Sequence, residues 1–212
     1  MHTIKSLFAG NQLLASEYSE GYLWETELDP DKEPKQVNIF LSDLENFIES
    51  NESNSTIEYY FGNYLLRKLS DFQYEIIDGQ QRITTLVILL SALFSKLRKT
   101  DCYTDNQSKI FKCFILNNDY YSFETIEQDK LILEHYVIAQ IAKNLKYPEV
   151  KTDSGKRIIL AFDYFKERFL YKDQSYLIAL LNAIQNASYT VKCVEKQSEY
   201  CQLFSFTNRF SN

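Results

Sequence analysis

Tyr74-Glu75-Ile76-Ile77-Asp78-Gly79-Gln80-Gln81-Arg82-Ile83-Thr84-Thr85-Leu86 is the stretch whose reading decides the fold. Residues 72–77 have the aromatic and β-branched content of a strand, and Asp78-Gly79 ends it. Residues 83–98 then read as a helix that is apolar nearly all round: Ile83, Leu86, Val87, Leu89, Leu90, Leu93, Phe94 and Leu97. Such a helix belongs at the centre of a core. A strand that turns directly into a helix leaves the first backbone N–H groups without intrahelical partners, at the positive end of the dipole. That is a natural anion site. Gly79 lets a ligand approach the backbone, and Arg82 offers a planar fork to phosphate oxygens. Gln80, Gln81, Thr84 and Thr85 add neutral polar groups, while Asp78 either holds a phosphate-bound metal or orients Arg82. The plainer alternative is that Asp78 is an N-cap and Gln81, three residues on, closes a capping box. Capping needs only those two residues, so the crowd of polar groups at this mouth favours the anion site.

Outward from this stretch, residues 59–69 predict a partner strand, with Ser70 and Asp71 as the hairpin turn. Upstream, residues 36–50 place Val37, Phe40, Leu41, Leu44, Phe47 and Ile48 at helical spacing, and the polar residues 50–56 read as a loop. Downstream, helices are expected over 127–145, broken by Pro148, and over 157–171 and 175–186. Residues 189–194 alternate like a strand that returns to the first sheet. The expected class is α+β: a small mixed sheet, a central buried helix and a helical lobe. Residues 1–100 form the sheet module and 101–212 the lobe, packed as one unit.

Composition narrows the function. A 45% hydrophobic, 25% charged chain of 212 residues is an ordinary globular one, and 5 Gly with 3 Pro exclude collagen-like or linker-like architectures. Two histidines, His2 and His135, exclude most histidine-metal nuclease or zinc-hydrolase chemistry within these residues. The net charge of −6 argues against a nucleic-acid clamp. The charge is uneven: residues 17–58 hold 12 acidic and 2 basic side chains, a net of −10, and the remainder carries +4. The acidic stretch reads as a solvated face, while the later part suits an anionic ligand. Cys102, Cys113, Cys193 and Cys201 form no CxxC framework, and Cys113 and Cys193 read as buried small hydrophobes. With no apolar leader and no run near the ~20 residues of a membrane span, the expected location is cytoplasmic.

Other candidates carry less. Residues 152–157 superficially resemble a P-loop but lack its spaced glycine and the Ser/Thr after Lys156, so they read as a loop and helix N-cap. His135 reads as a structural histidine, and Tyr22 and Trp24 as core or rim packing.

The run IIDGQQRITTLVILLSAL, residues 76–93, resembles the DGQQR-motif domain at the N-terminus of GmrSD-type restriction enzymes, which is similar to the ParB/sulfiredoxin-like fold. Tyr59-Tyr60-Phe61-Gly62-Asn63 resembles an upstream strand of that family. Tyr22 and Trp24 fit the end of its N-terminal motif, and residues 204–208 its later F-x-x-x-N segment. The resemblance implies a ParB-like nucleotide-binding module of a DNA-restriction or phage-defence system, with NTP hydrolysis as an associated activity. It implies that Asp78, Gly79, Gln80, Gln81 and Arg82 form the nucleotide-phosphate site. Asp78 and Arg82 would be its catalytic pair, Asp78 would bind Mg²⁺, and Thr84 and Thr85 would lie in the following turn. It also implies a nuclease domain or subunit as partner, downstream or on a separate chain, and DNA as an indirect one. Two positions depart from the family pattern: Ser19 and Glu20 stand where Gln and Arg are usual. An anion near a triphosphate weakens binding, so a non-catalytic regulatory or scaffold subunit is the alternative. A DNA-binding regulator is a third reading, opposed by the −6 charge.

Overall fold

The apolar run after Gly79 folds as helix α3 (Gln80–Leu97), and 14 of its 18 residues are buried, so every face of it meets protein. The computed structural model describes residues 2–16, 18–50, 57–101, 103–117, 120–138 and 149–195. Along the chain, α1 (Ile4–Phe8) leads to β1 (Gln12–Ala15). Next come α2 (Gln36–Ser50) and the hairpin β2 (Tyr60–Lys68) and β3 (Gln73–Asp78). After α3 follow α4 (Asp105–Phe114), β4 (Leu116–Asn117), β5 (Tyr120–Tyr121) and β6 (Phe123–Glu124). Helix α5 (Glu127–Ile132) runs on as π-helix over Leu133–Ile138. Helices α6 (Asp153–Arg168) and α7 (Gln174–Asn186) precede β7 (Ser188–Val194).

Five strands form one mixed sheet in the order β6-β1-β3-β2-β7. β2 and β3 are antiparallel, as a hairpin requires. β1 runs parallel to both β3 and β6, and β7 parallel to β2. Helix α3 packs on α6, α7 and the π-helical segment, which places the helical lobe over its far side. One cluster of buried residues runs from Ile4 through α3 to Phe162 and Tyr189.

The mixed class, the central helix, the hairpin and the returning strand all stand as the sequence predicted. Three expectations change. Helix α3 starts at Gln80 rather than Ile83, because Gly79 already turns the chain. Residues 153–157 are the first turn of α6, with Thr152 Oγ1 accepting from Gly155 N at 3.0 Å. Cys113 is only half-buried and Cys193 is exposed, since β7 lies at the edge of the sheet. Much of the 50–56 loop, the end of the 127–145 helix, residues 204–208, Cys102 and Cys201 lie outside the described residues.

Candidate functional site

Strand β3 delivers Asp78 to the surface and Gly79 to the start of α3. Gly79 is the N-cap, in the left-handed region at φ +97°, and no side chain caps the helix. The expected Asp78–Gln81 capping box is therefore absent: the cap falls one residue later, and Gln81 bonds elsewhere. A Cβ at residue 79 would lie 2.3 Å from Tyr64 Cδ1, so glycine is required for contact as well as for backbone. Ile83 N donates to Gly79 O at 3.1 Å. The amides of Gln80, Gln81 and Arg82 donate to no described residue. The positive end of the helix keeps donors without described acceptors, although Gly79 and Gln80 are buried.

Arg82 is held, not mobile. Its Nη1 donates to Phe61 O at 3.1 Å and its Nη2 to Asn63 O at 2.5 Å. Strand β3 ends at Asp78, opposite Leu65, so no strand residue remains to serve β2 beyond that point. The guanidinium takes over two of the carbonyls left behind. It also lies over the Tyr64 ring, 4.8 Å from Cζ to the centroid. Gly62, at φ +100°, makes the room: a Cβ there would lie 1.9 Å from Arg82 Nη1. The charge stays beside the helix mouth, since a Cβ on Gly79 would be 3.4 Å from Nη2.

Gln81 grips the N-terminal segment. Its Oε1 accepts from Leu23 N at 2.8 Å and its Nε2 donates to Gly21 O at 2.7 Å, as a neighbouring strand would. Between those contacts Tyr22 is buried, and its hydroxyl meets Thr85 Oγ1 at 2.8 Å. Burial pushes the Tyr22 hydroxyl pKa far up, and the bond to Thr85 offsets only part of that. Tyr22 N donates to Ser154 Oγ at 2.6 Å and to Asp129 Oδ2 at 3.2 Å. Trp24 packs edge-on against Phe40, which packs on Phe61, so Tyr22 and Trp24 serve packing as expected.

The structure brings Asp78, Gly79, Gln80 and Arg82 to one mouth. Thr84 and Thr85 stand behind it: both are buried, and their hydroxyls donate back to Gln80 O at 2.9 Å and Gln81 O at 2.8 Å. Glu20 is exposed, one residue before the segment that Gln81 holds. His135 is half-buried in the π-helical segment. Among the described residues no group of three or more His, Cys, Asp or Glu side chains could hold a metal alone. The Asp78 carboxylate is exposed and bonds to no described residue. A separate cleft of about 550 Å³ lies between α2 and α7, but Glu45, Glu49, Glu58 and Asp173 line it without any basic side chain, so it does not suit a phosphate.

Tyr64 and the carbonyls of Phe61 and Asn63 escaped the sequence reading. The signal was Gly62, because glycine inside a strand marks a bulge or a close backbone approach. Asp129 and Ser154, remote from Tyr22 in sequence, gave none.

No helix among the described residues is long and apolar enough to cross a membrane. No curated protein matches the chain. Residues 30–210 match the family described as GmrSD restriction endonuclease, N-terminal domain. That match spans β2, β3 and α3, and with it the whole mouth. The chain belongs to this family of N-terminal domains of restriction endonucleases.

Proposed function

We propose that the chain is the nucleotide-binding module of a GmrSD-type restriction system, with the phosphates of an NTP seated at the mouth of α3. The carrying observation is the uncapped first turn: three amides without acceptors among the described residues, behind a glycine that no side chain caps. Backbone donors aimed at one point, with a helix dipole behind them, bind phosphate in many folds. In this reading the amides of Gln80, Gln81 and Arg82 hold phosphate oxygens, and Gly79 lets the chain turn into the helix with the Tyr64 ring packed against it. Arg82 adds fixed positive charge without having to swing. Asp78 supplies one carboxylate to a Mg²⁺, which when bound neutralises phosphate charge. Binding would be relayed to a nuclease domain or subunit, the partner that membership of this family suggests.

Calorimetry with each common Mg·NTP tests the reading, using wild type and Gln80→Glu. The substitution is isosteric and sets a negative charge in the first turn, where it repels phosphate; the dipole, worth about 0.3–1 kcal/mol, offsets part of the cost of a carboxylate at this buried position. The expected result is binding by the wild type and an affinity about ten-fold weaker in Gln80→Glu, the effect of roughly 1.4 kcal/mol. Thermal unfolding checks that the variant compared is folded. No binding by the wild type, or equal affinity in both, rejects the site.

Two observations favour a non-catalytic regulatory or scaffold role over an active NTPase. The Arg82 fork is committed to two backbone carbonyls, and Glu20 stands where a second arginine is usual. Hydrolysis that appears only in Glu20→Arg supports this role. Turnover by the unmodified chain, abolished by Asp78→Ala, defeats it.

A further inference from the structure

We propose that Asp129 and Ser154 form a latch that positions residues 21–24 against the mouth of α3, and that the latch weakens when the buried Asp129 carboxyl ionises. Its consequence for ligand binding rests on the phosphate reading; the latch itself does not.

The same short segment is gripped twice. From α3, Gln81 bonds Gly21 O and Leu23 N. From the helical lobe, Ser154 Oγ and Asp129 Oδ2 share Tyr22 N. Ser154 Oγ also hydrogen-bonds Asp129 Oδ2. Gly21 sits at φ +89°, and a Cβ there would lie 2.9 Å from Ser154 Oγ and 3.1 Å from Asp129 Oδ2. The backbone therefore rests directly on the pair.

Asp129 is fully buried, and its Oδ1 has no hydrogen-bond partner among the described residues. Cations nearby are engaged elsewhere: Lys130 with Glu124 at 3.0 Å, and Lys156 with Asp153 at 2.8 Å. Glu127, Glu134 and His135 belong to its own helix and the π-helical continuation. The N-terminal segment brings Tyr22 and the exposed Glu20, and α3 brings Thr85 and the carbonyl-held Arg82. An ionised Asp129 would be a buried charge with one oxygen empty and no counter-ion, whereas the neutral acid leaves at most one uncharged group unpaired. Burial raises the Asp129 pKa, and the bonds from Ser154 and Tyr22 offset it only in part.

The sign follows. Below the ordinary carboxylate range Asp129 is protonated whether latched or not, and the latch has full strength. As pH rises towards and through the raised value, the closed state must give up its proton, and the latch loosens.

Trp24, the chain's one tryptophan, lies in this segment and reports on it. The test is Trp24 emission and Mg·ATP affinity measured as pH is raised from the ordinary carboxylate range to the alkaline side, a span that includes a raised carboxyl pKa. In the wild type, emission should shift as pH rises, and any Mg·ATP affinity should fall several-fold in step. Asp129→Asn should hold the low-pH emission throughout. Ser154→Ala should move the midpoint to higher pH, since its hydroxyl stabilises the ionised acid. A flat wild-type curve, an Asp129→Asn curve like that of the wild type, or an unmoved Ser154→Ala midpoint overturns the latch. Emission that titrates as described in a protein that binds no nucleotide upholds the latch and rejects the phosphate reading instead.

Discussion

Arg82 illustrates how one side chain is diverted by local geometry. Its fork fits phosphate oxygens, but two carbonyls at the end of β2 reach it first. Arg82→Lys should therefore lower stability by about 2 kcal/mol, since an ammonium cannot span both carbonyls. Denaturant unfolding measures this, and wild-type stability in the lysine variant would mean that the bonds are incidental. The glycines give a graded series. Gly10→Ala adds only backbone strain of about 1 kcal/mol, because φ is +76° and nothing lies within 4 Å. Gly62→Ala adds the same strain and a collision with Arg82, so it should cost clearly more. Equal losses would contradict the packing of Arg82 on Gly62. At this scale the sequence located the strand-to-helix turn at positions 78–82 but not the partners of its side chains. Gly62 hinted at the close approach beside Phe61 and Asn63, whereas Gly21 O and Leu23 N reach Gln81 by tertiary contact, which leaves no local pattern.

Helix starts differ in a way that bears on the mouth. Thr3, Thr104, Thr152 and Asp173 place side chains on the first turns of α1, α4, α6 and α7, whereas α3, behind Gly79, and α5, behind Ile126, have no side-chain cap. Thr152→Ala should cost about 1 kcal/mol of stability, measured by thermal unfolding, and leave phosphate binding unchanged. A loss of binding there would place the anion site on α6 instead. Long periodic elements were legible: α2 spans Gln36–Ser50, as its apolar spacing indicated. The short α1 and β1, of five and four residues, offered too few turns or alternations to register. The change to π-helix at Leu133 keeps an apolar stripe and so gives no warning in sequence.

At the scale of the molecule, Glu45 on α2 joins three helices. It accepts from Tyr176 Oη on α7 at 2.7 Å and from Arg168 Nη2 at the end of α6 at 2.8 Å, and Lys172 Nζ lies 3.2 Å away. Burial alone would raise its pKa, but bonds from Tyr176, Lys172 and Arg168 outweigh burial and hold it below the usual glutamate value. A depressed folded pKa stabilises above the unfolded value, and that contribution is lost as pH falls through the folded one. Glu45→Gln should lower stability near neutral pH and flatten the acid limb of a stability–pH curve. An unchanged acid limb would remove Glu45 as the hub. The α+β architecture was legible because α3 is apolar on every face and the flanking strands form a hairpin. The joining of the halves through Glu45 was not, since a lone acid in an amphipathic helix looks like a solvated one.

The uncapped first turn of α3 can be observed directly. Amide ¹⁵N–¹H spectra recorded during titration with Mg·NTP resolve each donor separately. The amides of Gln80, Gln81 and Arg82 should move together and saturably, while the capped amides of Gly155 and Tyr176 stay in place. Unmoved amides at residues 80–82, or shifts confined to other helices, would contradict the phosphate site.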